Sequence, residues 1–382
     1  MVKTTLTTLS QIKTAVHSLI RGTPRSLMLY YGIFAIWLIT TAMHIPDGYL
    51  SPVTSLIMFI IVLPFWVMGV RKLREKMTAK NVPLVALMAA FSFVIMMFNV
   101  PLPGGTTAHA VGGALAAIIL GPEIATLAIS IALVIQAFFF GDGGILALGA
   151  NCFNMAVVLP YVSYAIYQAF SKNQPTTSKR QIVGAALGGW MGLTVAAFFA
   201  AVEFGVQPML FHTANGTPLY APYPLSVSIP AMVIPHALIA APIEALLTAL
   251  VVAYLQRANQ PALEFVTKPE ISPELSGFAK WRALWIGLAI LIVLVPIGLL
   301  APGTAWGEWS TEQLSSLGLA FIPQGMAHLS GLWSAPLPDY DLPALNNANL
   351  AYIFSGIVGT IVIGIVAWLF TMLVTMRKTE SK

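Results

Sequence analysis

An all-α, polytopic helical membrane protein is the fold class this sequence predicts, and three observations predict it. Of its 382 residues, 58% are apolar and only 9% charged, against roughly 25% charged in a soluble globular domain. Apolar runs of about 20 residues, the length a helix needs to cross ~30 Å of hydrocarbon, recur along almost the whole chain. All 19 Lys and Arg residues fall in groups that these runs place on one side. The net charge of +5 therefore reflects topology and not nucleic-acid binding. A single cysteine, Cys152, excludes an intramolecular disulfide framework and any multi-cysteine metal site.

The elements follow in order. Residues 1–26 are polar, basic and Thr-rich; Leu27 to Ile39 are apolar and end at Thr40-Thr41-Ala42. This fits a signal peptide cleaved after Ala42, leaving Met43 as the new N-terminus. Tyr30, Tyr31, Gly32 and Trp37 fit a retained anchor helix as well, and both readings stay open. Counting 27–42 as the first, further spans at 53–70, 82–100, 107–120, 124–140, 150–169, 182–202, 227–255, 283–301 and 350–375 bring the total to about ten. The basic groups are Lys3 to Arg25, Arg71 to Lys80, Lys172 to Arg180, Arg257 to Arg282 and Arg377 to Lys382. The positive-inside rule puts them, and the C-terminus, in the cytoplasm. The opposite side carries Asp47, Asp142, Glu308, Glu312, Asp339 and Asp341. The longest non-spanning stretches, 256–282 with Pro261, Pro269 and Pro273, and 302–349, divide the chain. Residues 1–42 form a signal peptide or anchor, 43–256 a membrane bundle and 257–382 a two-span extension. No internal repeat marks an inverted-repeat secondary transporter.

Polar groups in or beside apolar spans are costly, so they locate the chemistry. Of six histidines, His17 lies in the leader and His212 and His328 in loops. His44, in Met43-His44-Ile45-Pro46-Asp47-Gly48, and His109, at the start of a span, share one membrane face. If the chain begins at Met43, its α-amine, the deprotonated His44 amide nitrogen and the His44 Nδ1 close successive chelate rings around one ion. His109 supplies a fourth nitrogen, a square-planar set suited to Ni(II), Cu(II) or low-spin Co(II). Binding expels protons, so affinity falls with pH. The simpler reading is that His44 opens a turn and His109 satisfies a backbone carbonyl at a helix start. Gly141-Asp142-Gly143-Gly144 reads as a sharp turn with Asp142, Asn151 and Asn154 as polar tips, and Asp47 as a group that orients the first loop. His236 and Glu244 are 244 − 236 = 8 residues apart, about two helical turns, and share a helix face with either a structural or a transport role. No G-x-x-x-x-G-K-[ST] loop occurs, so the chain does not itself hydrolyse ATP, and the absence of H-E-x-x-H argues against an intramembrane metallo-enzyme. An autonomous secondary metal transporter or channel is the alternative from another class.

The stretches M-H-I-P-D-G-Y-L-S-P at 43–52, P-G-G-T-T-A-H-A-V-G-G at 103–113, G-D-G-G-I-L-A-L-G-A-N-C-F-N-M-A at 141–156 and P-H-A-L-I-A-A-P-I-E-A-L-L-T at 235–248 resemble the CbiM/NikM family over roughly residues 43–256. That resemblance implies the substrate-binding subunit of an energy-coupling-factor transporter for cobalt or nickel in a bacterial plasma membrane. The metal is then cargo, with no resident cofactor, held outside by Met43, His44 and His109. The loop bearing Asp142, Asn151 and Asn154 packs over it, with Asp47 orienting the first turn. It also implies ATP-binding cassette ATPase subunits and a membrane coupling subunit as partners. Gly121-Pro122-Glu123 and the Arg71 to Lys80 loop are candidate docking points, and toppling of the subunit is the implied release step. The extension, with A-P-G-T-A-W-G-E-W at 301–309, is similar to that of long family members and stands in for a small separate membrane subunit. The shortest members begin at Met-His, whereas residues 1–42 precede it here, and without their removal there is no free amine.

Overall fold

The computed structural model describes residues 43–76, 82–102, 106–175, 177–258, 263, 282–301 and 303–376. The leader with its cleavage site, and the prolines of the 259–281 linker, lie outside the described residues.

Among the described residues six helices are long and apolar enough to cross a membrane. They are α1 (Pro52–Lys76), α4 (Pro122–Phe140), α6 (Lys179–Leu210), α7 (Leu225–Arg257), α8 (Arg282–Leu300) and α11 (Ala348–Met376). Between them lie α2 (Val82–Met96), a two-stranded hairpin of β1 (Val100–Leu102) and β2 (Thr106–Ala108), α3 (Gly113–Leu120) and α5 (148–171). Two short helices, α9 (Thr311–Ser316) and α10 (Gln324–Leu329), complete the set.

The class expected from composition holds, while the count of about ten spans was too generous. The first of them lies outside the described residues. The stretch expected to span over 107–120 is instead strand, loop and an eight-residue helix, about 12 Å long at 1.5 Å per residue. Gly112 explains the break: its φ is +73, a left-handed conformation that glycine adopts freely. Non-helical backbone at membrane depth survives only when protein surrounds it, and every residue from Thr107 to Leu120 is buried. The central helix α2 is also short, and it too is sheathed, with all its residues except Pro83 buried. On α1, by contrast, Ser55, Met58, Val62, Gly69 and Leu73 face inward while Val53, Leu56, Ile60 and Leu63 are exposed, the pattern of a helix with one lipid face.

Small residues let the helices close. A Cβ on Gly188 would lie 2.6 Å from the Ser163 carbonyl oxygen, and one on Gly192 would lie 2.1 Å from Ser163 Oγ. The four-residue spacing of Gly184, Gly188 and Gly192 thus makes a close-approach stripe between α5 and α6, and Ser163 Oγ donates to the Gly188 carbonyl (2.9 Å). Ser228 Oγ bonds the Ala201 carbonyl (2.7 Å) between α7 and α6. Three wide π-turns interrupt the helices, at Gln136–Phe140, Cys152–Val158 and His236–Ala240. Such turns cluster at functional sites.

The ends of the bundle differ. The last six residues of α1, the α5–α6 junction, the last residue of α7 and the first of α8 carry the described Lys and Arg residues, and Gln256 donates to the Ser178 carbonyl there (3.2 Å). The other end carries residues 43–51, 106–112 and 141–147, and the extension folds over it. Trp306 and Trp309 pack with Tyr49, Phe204 and Tyr223; Met326 backbone presses on Gly48; the Leu337 N–H donates to the Phe139 carbonyl (2.9 Å); and Tyr340 stacks on Phe140 at 4.7 Å.

Gly192→Leu is expected to disrupt the α5–α6 contact, at a cost at or above the ~1–3 kcal/mol of an overpacked core. Gly364→Leu, where a Cβ meets nothing within 4 Å, serves as the neutral control. Melting temperatures of both variants in detergent check this.

Candidate metal centre

Three loops build the site at the extension-covered end. The first, 43–50, is zipped to the third, 141–147. Asn151 Oδ1 accepts the Ile45 N–H (2.8 Å) and its Nδ2 donates to the Ile45 carbonyl (3.1 Å), so one amide side chain satisfies both main-chain groups of that residue. The Gly144 N–H also donates to the Ile45 carbonyl (2.9 Å). Asp47 accepts from the N–H groups of Ile145 (3.0 Å) and Leu146 (2.8 Å). A Cβ on Gly144 would sit 2.3 Å from Asp47, which is why the turn needs glycine there. Burial raises the Asp47 pKa, and these main-chain donors oppose the shift.

The second loop carries His109, and its anchor is Glu244 on α7. The Glu244 carboxylate accepts the N–H groups of Val111 (2.9 Å), Gly112 (2.8 Å) and Ala114 (3.1 Å). These are donors that the start of α3 would otherwise leave orphaned. Ser92 Oγ donates to the Val111 carbonyl (2.8 Å), fixing the same segment from α2.

With both loops held, the two imidazoles meet. His44 Nδ1 and His109 Nε2 are 3.2 Å apart, and the rings lie 4.9 Å centre to centre. His44 is 2% and His109 8% exposed. His109 Nδ1 lies 3.1 Å from the Ala110 carbonyl, which assigns the proton to Nδ1 and leaves the Nε2 lone pair toward His44. Burial, reinforced by the neighbouring His44, pushes the His109 pKa down to about 4, so this ring stays neutral near pH 7. Asp142 Oδ1 lies 3.1 Å from the same His44 nitrogen. Its Oδ2 accepts from Gln136 Nε2 (3.2 Å) and from the Tyr340 hydroxyl (2.5 Å). Burial and the nearby Asp142 raise the Glu308 pKa well above its ordinary value, and the His44 main chain opposes that shift. Met43 is buried in the main core.

The placement of the remaining candidates is mixed. Asn154 Nδ2 donates to Glu203 on α6 (2.8 Å). His236 Nδ1 lies 2.8 Å from the Met232 carbonyl of its own helix. Gln136 and Tyr340, which hold Asp142, escaped the sequence reading, and Glu308 entered it only as an acid of the opposite side. Gln136 alone carried a signal, as an uncharged polar residue in an apolar span.

Among the described residues no group of three or more His, Cys, Asp or Glu side chains forms a ready-made metal cage. The two facing nitrogens are nonetheless suited to one ion. With metal–imidazole bonds of about 2.0 Å, nitrogens at adjacent corners of a square stand about 2.8 Å apart, close to the 3.2 Å observed. Asp142 Oδ1, 3.1 Å from His44 Nδ1, borders the same position.

A family model described as "Cobalt uptake substrate-specific transmembrane region" matches residues 44–262, and one for the PDGLE domain matches residues 280–376. The fused nickel transport protein NikMN of Rhodobacter capsulatus is 51% identical over 335 residues, covering 84% of this chain and 95% of that protein. The probable fused nickel transport protein LarMN of Lactiplantibacillus plantarum is 42% identical over 327 residues, with the same coverage. A crystal structure of a truncated transition metal transporter superposes with a TM-score of 0.53 at 50% identity, covering 56% of this chain and 99% of that one.

Glu244→Gln is expected to lower stability by roughly 1–3 kcal/mol, since the amide keeps one acceptor oxygen and turns an NH2 toward buried N–H donors that a carboxyl oxygen now accepts. Glu203, whose Oε1 already lacks a partner, should tolerate the same change with a smaller loss. Thermal melts of the two variants in detergent measure the difference.

Proposed function

This chain belongs to the cobalt uptake substrate-specific transmembrane family, and on that premise we propose that it captures Ni(II) or Co(II) as the substrate-binding subunit of an ATP-driven energy-coupling-factor importer. The observation that carries this reading is the pair of buried, facing nitrogens, His44 Nδ1 and His109 Nε2, 3.2 Å apart. Removal of residues 1–42 gives Met43 a free α-amine. That amine, the His44 amide nitrogen and His44 Nδ1 then form fused chelate rings, and His109 closes the fourth corner. An all-nitrogen planar set favours Ni(II), Cu(II) or low-spin Co(II) over zinc or magnesium. The names of the nickel transport relatives fit this choice.

The surroundings suit the task. Asp142, whose Oδ1 lies 3.1 Å from His44 Nδ1, places a carboxylate beside the ion. Asn151 and Asp47 fix the first loop and Glu244 fixes the second, so the nitrogens are held before the ion arrives. The site end faces outward and the basic end, with the C-terminus, faces the cytoplasm of a bacterial plasma membrane. The chain divides into the segment 1–42, the metal-binding bundle 43–256 and the extension 257–382 that covers the site. With no phosphate-binding loop of its own, the protein relies on ATP-binding cassette ATPase subunits and a membrane coupling subunit.

Native mass spectrometry of the protein purified from its own membrane with nickel or cobalt present tests the chelate. The expected species starts at Met43 and carries one ion; a chain starting at Met1 and still carrying one ion would overturn the free-amine model. Binding releases protons, so affinity should fall as pH drops below the α-amine range of about 7.7–8.0. His109 should add no further loss until about pH 4. Calorimetric titration across pH 5–8 checks the slope, and His109→Ala should abolish tight binding while leaving the fold intact.

A further inference from the structure

In the half of the bundle nearer the basic end, α2, α3, α7 and α8 leave a groove of about 370 Å³, within the ~300–1,000 Å³ range of small-molecule sites. Leu87, Phe91, Leu115, Leu247, Tyr254 and Gly287 are among its lining residues, and almost none of its surface is polar. The groove lies along the first half of α8, where Leu288 is the only fully buried residue between Arg282 and Leu294 and Leu284, Trp285, Leu291 and Ile292 are partly buried against the core. At Gly287 a Cβ would meet nothing within 4 Å, so a glycine, costly inside a helix by about 1 kcal/mol, leaves open space where a larger side chain would fit. A void lined only by apolar atoms forfeits dispersion contacts unless something fills it.

The rim of the groove is charged. Tyr254 stands one turn before Arg257, the last residue of α7, and the lining residue Ala283 follows Arg282, the first of α8. Both arginines are exposed, and neither makes an ion pair among the described residues. A basic rim above an apolar slot between membrane helices matches a phospholipid in both its parts. Guanidinium groups bind phosphate oxygens in bidentate fashion.

We propose that this groove binds one anionic phospholipid of the leaflet at the basic end, with its phosphate between Arg257 and Arg282 and an acyl chain along Gly287 toward Phe91. The lipid adds to the contacts that α8 already makes with the core, and fills the space beside Gly287 between the extension and the bundle. This site is independent of the metal centre.

The test is native mass spectrometry of the full chain, delipidated in detergent and supplied with phosphatidylglycerol or phosphatidylcholine. One phosphatidylglycerol should survive activation that strips phosphatidylcholine. The double variant Arg257→Gln/Arg282→Gln should weaken phosphatidylglycerol binding by about tenfold or more, at ~1 kcal/mol per arginine. Gly287→Phe should exclude the acyl chain without disturbing the fold, as judged by an unchanged melting temperature in lipid-free detergent. Equal retention of the two lipids, or undiminished phosphatidylglycerol binding in Gly287→Phe, would overturn the proposal.

Discussion

A single carboxylate makes the rest of this site possible. Glu244 reaches from α7 to the segment before α3 and accepts three main-chain N–H groups, in an interior where an unsatisfied donor costs several kcal/mol. Without an acceptor there, the only tolerable backbone would be continuous helix, and His109 would be carried away from His44. The irregular segment that presents His109 to His44 thus exists because a carboxyl group is buried opposite it.

The same economy recurs in the first loop. Asn151 meets both backbone groups of Ile45, and Asp47 meets two donors of the facing turn. Neither residue has to touch an ion to matter. Each removes a degree of freedom from a loop whose next neighbour, His44, must point Nδ1 at His109. The extension contributes at a further remove, since its Tyr340, together with Gln136 of α4, orients the carboxylate of Asp142.

Much of this was legible in the sequence, for identifiable reasons. The long spans follow from hydropathy, and the shared location of His44 and His109, expected at one face, is what the structure has. The collapse of the expected 107–120 span into hairpin, loop and short helix was not legible by hydropathy, because a buried loop and a buried helix are equally apolar. The signal that should have weighed more was Gly112-Gly113 in the middle of the run. Asn151 and Asn154 looked alike as polar tips, yet the π-turn Cys152–Val158 sits between their roles, and one faces Ile45 while the other faces Glu203. Tyr340 lies 198 residues from its partner Asp142, and no local pattern could have joined them.

The covering of the site end by residues 303–347 has a kinetic consequence. Both imidazoles are almost wholly buried, at the end where Met326 covers Gly48 and Tyr340 holds Asp142, so on the proposed reading an ion does not reach or leave the nitrogens by diffusion alone. Loading and loss are both timed by how often the covering segment lifts. Strength of binding and speed of exchange are therefore governed by different parts of the chain, the former by the nitrogens and their anchors and the latter by the contacts of the cover. Loosening those contacts would hasten both directions alike and leave the equilibrium nearly where it was.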